Sequence, residues 1–549
     1  MTESAVNIIL CGGPINFTNL PIGTNQSNAM IPINGKPVIG WILNDLLEKG
    51  IRRATVVVRE QDHRLQDFLL RAYARRLNIT LARLSHEGTI VQSLQAGLRE
   101  ANRKLAAPST SGLVRIILGD TLIRDTYDAD HDFVYTGPVE DSRRWCIAFT
   151  DRDGQIVDLV DKQALMPPGP KHALAGYYHL TDADHLTHCI DASVANGERE
   201  LSAVLLRYNA RCPIKTTVAE EWFDFGNIEN LVDARQRLLQ SRYFNGLSIN
   251  PVLNTITKVS ENNEKLTDEL NWYLNLPNEL KVLTPRIVSH SHIDNRLHIV
   301  QEHYGYPNLA ELYVYGDLPS DMWVAILKHV MRIHQEFRRY PGDLPPDAVR
   351  SVYLDKTWQR LEALRQQANY WVNLLARETV VRNGVTLRNL PLLRAAIAAR
   401  AAELSATAPI SVIHGDYCFS NILFDLNHQI IRLIDPRGSF GRKGIYGDPR
   451  YDIAKLRHSV CSLYDYIVGD MFEVQARDTD FTTIIYANGL PALVGAAFEQ
   501  LVTEAGYNLD EIRFIEGLLF ISMVPLHRDN FQRQQMMYLT GLQLLNEVL

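Results

Sequence analysis

The chain has 549 residues, with 56 Lys and Arg against 63 Asp and Glu for a formal charge of −7, and 46% of it is hydrophobic. That length is several times the roughly 100–200 residues of one domain, so it predicts several domains with full cores and excludes disordered, collagen-like and coiled-coil classes. The acidic balance excludes a protein that works by coating nucleic acid, because no basic excess exists to neutralise phosphates.

The N-terminal stretch from Met1 to Pro14 has no basic segment and too short an apolar run for a signal peptide. Beyond it, Asn7–Leu10, Ala54–Val58 and Val114–Leu118 read as buried strands by their β-branched runs. Between them, Val38–Leu47 and Ile90–Leu105 read as amphipathic helices; in the second, Ile90, Leu94, Leu98, Ala101 and Leu105 share one face. This alternation over the first 235 or so residues is the pattern of an open α/β sheet. Ligands in such sheets bind beyond the carboxyl ends of the strands, so the turns Cys11-Gly12-Gly13-Pro14 and Gly119-Asp120 are candidate site elements.

The character changes near Arg242. Strand-like pieces at Asn254–Ser260 and Leu297–Glu302 surround one helix, Leu266–Asn275. Long helical segments follow from Met322, interrupted by strand-like runs at Ile410–Asp416 and Ile430–Asp435, with Tyr340–Pro346 a loop. The boundary falls between Asp233 and Arg242, which divides the chain into residues 1–238 and 239–549, the latter with a small lobe to about 305 and a mostly helical lobe after it. Six scattered cysteines form no metal or disulfide framework, and Gly517–Leu526 is far short of the ~20 apolar residues that span a bilayer. The reading is a cytoplasmic protein with no membrane and no nucleic-acid partner; homo-oligomerisation is left open.

The densest constellation is His414-Gly415-Asp416-Tyr417-Cys418-Phe419-Ser420-Asn421, followed by Ile434-Asp435-Pro436-Arg437-Gly438. An Asp five residues before an Asn is the spacing of a kinase catalytic loop: Asp416 accepts the proton of the attacking hydroxyl, and Asn421 with Asp435 holds Mg²⁺ on the phosphates. These strings resemble the aminoglycoside phosphotransferase and choline kinase superfamily of small-molecule kinases, over about 300 residues from Arg242 onward. The resemblance implies a protein-kinase-like fold in which Asp452 is the structural Asp after the metal Asp. It also implies that Lys258 clamps the ATP phosphates, that Glu269 pairs with it, and that Gln301-Glu302-His303 forms the adenine hinge. Lys265 competes with Lys258, and no glycine-rich loop precedes Lys258; Phe244-Asn245-Gly246-Leu247 is the available turn.

The first 235 or so residues resemble the nucleotidyltransferases that join a sugar phosphate or phosphocholine to a nucleoside triphosphate. The matching strings, in order, are Leu10-Cys11-Gly12-Gly13, Met30 to Ile39 around Gly35-Lys36-Pro37, Glu87-Gly88-Thr89, Leu118-Gly119-Asp120, Asp161-Lys162, Ala175 to Tyr178 and Trp222-Phe223-Asp224-Phe225-Gly226. The resemblance implies a Rossmann-like fold, Gly12 and Gly13 against the triphosphate and Gly88 at the base. It further implies that Lys36 serves the nucleotide, that Lys162 sits on the incoming phosphomonoester, and that Asp120 and Asp224 share a Mg²⁺. One departure is plain: Gly12 to Met30 contains no Arg or Lys, and Asn28 stands where that family has a Lys for the leaving pyrophosphate.

Together the motifs predict an α/β fusion whose kinase half uses ATP on a small alcohol and whose transferase half activates the resulting phosphomonoester with a second NTP. By resemblance to choline kinase and phosphocholine cytidylyltransferase pairs, that NTP is CTP and the product serves surface polysaccharide decoration. Two rivals stand beside it: a sugar kinase joined to a uridylyl- or guanylyltransferase, and a working kinase with a non-catalytic nucleotide-binding N-terminal domain. Trp272 and Tyr273 read as core residues, with a cage for a cationic head group as the other option.

Overall fold

A computed structural model of the chain describes residues 5–12, 27–85, 88–104, 112–127, 129–140, 142–163, 171–226, 230, 234–235, 237–238, 246–260 and 262–549. It divides into two compact units, Met1–Arg235 and Gln236–Leu549. Leu105, Glu87, Gly13, most of Gly12–Met30 and most of the stretch from Asp233 to Arg242 lie outside the described residues.

The first unit is built on a nine-stranded sheet. Its centre is parallel, in the order Asn78–Leu84, Arg53–Arg59, Val6–Leu10, Val114–Leu118, with Lys171–Leu180 antiparallel beyond. The apolar runs that mark Val6–Leu10, Arg53–Arg59 and Val114–Leu118 in sequence are the strands buried on both faces, as parallel sheets require. The helix Ile90–Lys104 lays Val91, Leu94, Leu98 and Ala101 onto this sheet, where they join one core with Ile8, Val57 and Ile116. Successive strands step outward on one side of Val6–Leu10, and Val114–Leu118 then enters on its other side. The strand order therefore reverses between these two, the place where Rossmann-like sheets open a crevice for ligands. Gly119 closes that edge: its amide donates to the Leu10 carbonyl at 2.9 Å, and a Cβ there would sit 2.6 Å from the Cys11 sulfur.

The second unit is kinase-like. Four antiparallel strands, in the order Leu247–Asn250, Thr255–Val259, Arg296–Glu302, Ile287–Ile293, form the small lobe with the helix Asn263–Asn275. Asn262 caps that helix by accepting the Lys265 amide at 3.0 Å, and Leu266 and Leu270 pack on Leu297 and Ile299. The larger lobe is mostly helical, with Ser320–Arg338, Leu390–Ala406, Pro449–Val460, Leu509–Met523 and Phe531–Val548 its long members. Among the described residues no helix is long and apolar enough to cross a membrane.

One expectation needs correction. The helical lobe also carries a four-stranded sheet, Val385–Arg388, Thr379–Arg382, Asp480–Ile485, Phe472–Arg477, where the sequence reads as helix or loop. The overlooked signal was Asn383-Gly384, whose φ values of 51° and 80° are those of a tight hairpin turn. Asp478, at φ 54°, turns the second hairpin in the same left-handed region. Within Ile410–Asp416 only Ser411–Val412 is strand; the chain then turns through Gly415 at φ 78°.

Candidate active sites

In the second unit, Lys258 lies mid-strand opposite Leu247 and Ile299. Its ammonium meets Glu269 at 2.8 Å and also contacts the carboxylate of Asp435. Burial alone would lower the Lys258 pKa, but Asp435 and Glu269 outweigh it and hold the ammonium charged. Lys265 makes neither contact; its amide serves the helix cap. Asp435 itself sits at φ 57°, a left-handed conformation that an Asp tolerates and that swings its carboxylate toward Lys258. Its amide donates to Tyr273 Oη at 3.2 Å. Trp272 donates its indole N–H to the Ile413 carbonyl at 2.7 Å. Both aromatics are buried; they brace the small-lobe helix against the catalytic segments and form no cage for a cation.

The loop after Ser411–Val412 is held from below. Asp452, fully buried, accepts the amides of His414 at 2.7 Å and Gly415 at 2.8 Å. Burial pushes the Asp452 carboxyl up to about 7. His414 is pushed down to about 4 by burial; its neutral ring accepts the Asp416 amide at 3.3 Å. Asn421 donates its side-chain amide to the Asp416 carbonyl at 2.9 Å, which fixes the loop, and its amide oxygen, a hard donor for a metal, accepts the Ser420 hydroxyl at 3.4 Å. The hairpin Ile422–Asp425 with Ile430–Leu433 pairs Ile422 with Leu433, so Asn421 and Asp435 emerge side by side at its open end.

Asp416 is where sequence reasoning missed the most. Lys455, one turn beyond Asp452 on the helix Pro449–Val460, places its ammonium 2.9 Å from the Asp416 carboxylate. Burial pushes the Asp416 carboxyl up, yet Lys455 and Arg437 overcome it and hold it well below the usual carboxylate range. An ionised Asp416 is the state a proton acceptor needs. Glu302 ends its strand at the entrance to the larger lobe. Its carboxylate takes the Arg286 amide at 3.1 Å and the Tyr304 hydroxyl at 2.9 Å. The amides of Glu302 and His303 donate to the carbonyls of Arg286 and Asn254. The Glu302 carboxylate is thus engaged within its own lobe by Arg286 and Tyr304.

In the first unit, the pairing of Trp222–Asp224 with Thr121–Ile123 sets Asp224 opposite Thr121, so its carboxylate faces Asp120 across Gly226. A Cβ on Gly226 would lie 3.2 Å from Asp224 and 3.4 Å from Asp120. Asp224 also takes the Gly226 amide at 3.2 Å and the Asn230 side chain. Burial, then the neighbouring Asp120, push the Asp224 carboxyl up to about 7; burial raises Asp120 as well. Two carboxylates raised by burial, one of them also by the other, are short of positive charge, which is how a divalent-cation site reads without its ion. Among the described residues no cluster of three or more His, Cys, Asp or Glu makes a complete metal cage. Mg²⁺ sites of phosphate chemistry need only one or two carboxylates, because substrate oxygens complete them. The donor sets Asp120 with Asp224, and Asn421 with Asp435, fit that requirement.

Around this pair, Gly12 follows the central strand, and Arg59 donates its Nε to the Gly12 carbonyl at 2.8 Å. The Gly88–Thr89 turn opens the helix Ile90–Lys104, where Thr89 Oγ1 takes the Gln92 amide at 3.2 Å. The Ser93 hydroxyl of that helix lies 3.4 Å from where a Gly12 Cβ would be, so the two glycine turns adjoin. Asn28 directs its side chain to Asp120 as a hydrogen-bond donor. Lys36 lies 5.7 Å from the Trp41 ring, and Lys162, half exposed, engages Glu200 at 3.0 Å. Arg59 and Asn28 were not assigned roles from sequence; Arg59 stands at a strand's carboxyl end, the signal that could have found it.

Residues 255–484 match the phosphotransferase enzyme family. The N-terminal region is similar to a UTP–glucose-1-phosphate uridylyltransferase of Haloferax volcanii, 24% identical over 226 residues that are 40% of this chain and 90% of that one. Among solved structures, a CTP:phosphocholine cytidylyltransferase from Streptococcus pneumoniae is 17% identical over 43% of this chain and 99% of its own, with a TM-score of 0.34. A nucleoside-diphosphate-sugar pyrophosphorylase from Vibrio cholerae is 14% identical over 42% of this chain and all of its own, with a TM-score of 0.37.

Proposed function

We propose that Gln236–Leu549 transfers the γ-phosphoryl group of ATP to a small alcohol, and that Met1–Arg235 couples the resulting phosphomonoester to a second nucleoside triphosphate with release of pyrophosphate. The observation that carries the first half is the convergence of Lys258, Glu269 and Asp435 with Asp416, Asn421 and Asp452. Lys258, oriented by Glu269, binds the ATP phosphates; Asp416 orients the acceptor hydroxyl and takes its proton as the new P–O bond forms. Asn421 and Asp435 would hold Mg²⁺, which would supply positive charge against the phosphates.

The second half is supported by Asp120 and Asp224 facing each other at the strand-order reversal. They would hold Mg²⁺ on the triphosphate, while the Gly12 and Gly88 turns bind the nucleotide through backbone N–H groups. Arg59, which donates to the Gly12 carbonyl, is a described cation placed to take the role that Gly12–Met30 lacks. Lys162 is free to leave Glu200 for a phosphomonoester because that exposed ion pair is weak. CTP is the nucleotide proposed, with surface polysaccharide decoration as the use; UTP and a sugar phosphate are the competing pair, because the Haloferax relative carries those in its name.

Supplying chemically made phosphomonoesters with each NTP and reading pyrophosphate, with ATP omitted, tests the coupling. Activity should vanish in Asp120→Ala and in Asp224→Ala and survive Asp416→Asn. If no triphosphate yields pyrophosphate with the kinase's own product, the N-terminal unit is a binding module, as the cation-free stretch Gly12–Met30 would then explain.

A further inference from the structure

Four cations gather beside Asp416. Tyr451 is their hub. Arg437 donates to its hydroxyl at 2.8 Å. Lys455 lies one turn along the same helix, on the same face. Lys356 follows Tyr353 by one turn, and the Tyr353 ring stacks 6.4 Å from that of Tyr451. Arg360, one further turn along, donates to the Ser522 carbonyl at 3.1 Å, and Lys455 reaches the next residue, Met523, at 3.9 Å. The five side chains therefore cluster between the end of Leu509–Met523 and Asp416.

The charges in that cluster do not balance. Asp416 pairs with Lys455 and also attracts Arg437 and Arg360, but among the described residues no carboxylate lies within ion-pair distance of Lys356, Arg360 or Arg437, so one carboxylate stands against four cations. Asp465, the other carboxyl within reach of Lys455, is pushed up to about 6 by burial and is hydrogen-bonded to Ser459. Asp470 and Asp529 are both taken by Arg533. The crowding is felt at Lys356: Tyr451 works to keep it charged, yet burial and the repulsion of Arg437, Arg360 and Lys455 bring it down to about 8. Holding partly buried cations together without a counter-charge costs stability, and a bound anion removes that cost.

The geometry points to an acceptor alcohol that carries its own anionic group, a carboxylate or a phosphate, seated on Lys356, Arg360 and Arg437 while its hydroxyl faces Asp416. This rests on the kinase reading and deepens it. A cationic amino alcohol is disfavoured by the same four charges. In the transfer, the acceptor hydroxyl gives its proton to the Asp416 carboxylate and its oxygen bonds to the γ-phosphorus. The bond from that phosphorus to the bridging oxygen breaks, and ADP leaves.

The test is calorimetric titration of the full-length protein, saturated with ADP and Mg²⁺, with malonate as the carboxylate probe and glycerol 3-phosphate as the phosphate probe. At least one should bind, and which one binds separates the two sources. Arg360→Gln and Lys356→Gln should each weaken it about ten- to hundredfold, the worth of one charge-assisted hydrogen bond. Lys356→Arg should retain it. An acceptor screen reading ADP release should then rank acids and phosphate esters of polyols above glycerol, and glycerol above choline. The assignment is overturned if neither anion binds the ADP complex, if the Gln variants bind as wild type does, or if neutral or cationic alcohols are the better acceptors. It is also overturned if a non-hydrolysable ATP analogue displaces the anion, because the cations would then serve the transferred phosphoryl group. Absence of ADP binding altogether would instead sink the kinase reading, and this assignment with it.

Discussion

Replacing Asp224 by Asn should stabilise the metal-free protein at pH 8, although the replacement removes a proposed catalytic ligand. The folded-state carboxyl titrates near 7 against an ordinary 3.8, first because it is buried and then because Asp120 faces it. The sign follows from proton linkage. Between those two pH values the unfolded chain has lost the proton and the folded one keeps it, so stability falls as pH rises through the window and the loss is complete above about 7. At ~1.4 kcal/mol per tenfold the gap bounds the effect at about 4 kcal/mol, and partial solvent screening reduces it to about 2 kcal/mol. For a unit of this size that is a rise of roughly 4–8 °C in Tm. Scanning calorimetry in EDTA at pH 8 and pH 4 is the assay. The gain should appear at pH 8 and be largely lost at pH 4, close to the ordinary 3.8, where folding takes up only part of a proton. Adding Mg²⁺ at pH 8 should raise the wild type towards the variant and leave the variant unmoved. A variant that melts with or below the wild type at pH 8 in EDTA would refute the carboxylate-pair argument.

The remaining expectations are briefer. Asp416→Asn should lower phosphoryl transfer by about 10²–10⁴-fold, read as ADP release, with ATP affinity retained. Asp435→Ala should instead weaken Mg²⁺-dependent ATP binding, and unchanged affinity by titration would count against its metal role. Arg457→Ala should cost about 3–5 kcal/mol in denaturant unfolding, because Glu516, fully buried and paired with it, is left without a counter-charge. Leu94→Ala should cost about 2–5 kcal/mol, because the side chain is fully buried between helix and sheet.

Much of this molecule is legible in its sequence, where physical demands are local. The central strands of the first unit are continuous apolar runs because parallel sheets are covered on both faces, and the helix Ile90–Lys104 shows its inner face as a three-to-four spacing. His414 to Asn421 and Asp435 are readable because a short loop and a short hairpin bring them together without help from distant chain. The sheet at Thr379–Arg388 and Phe472–Ile485 escaped because its two hairpins lie far apart in sequence and each is too short to show a period, although Asn383-Gly384 marked one turn. Only the tertiary structure decided the electrostatics. Nothing local to Lys455, Arg437, Lys356 or Arg360 tells that three separate segments set their charges around Asp416. Nor does any local pattern tell that Asn28 would face Asp120, or that Arg59 would reach the Gly12 carbonyl. Hydrophobic periodicity records which face of an element is buried, but a charge's partner depends on which elements meet, and that depends on the whole fold.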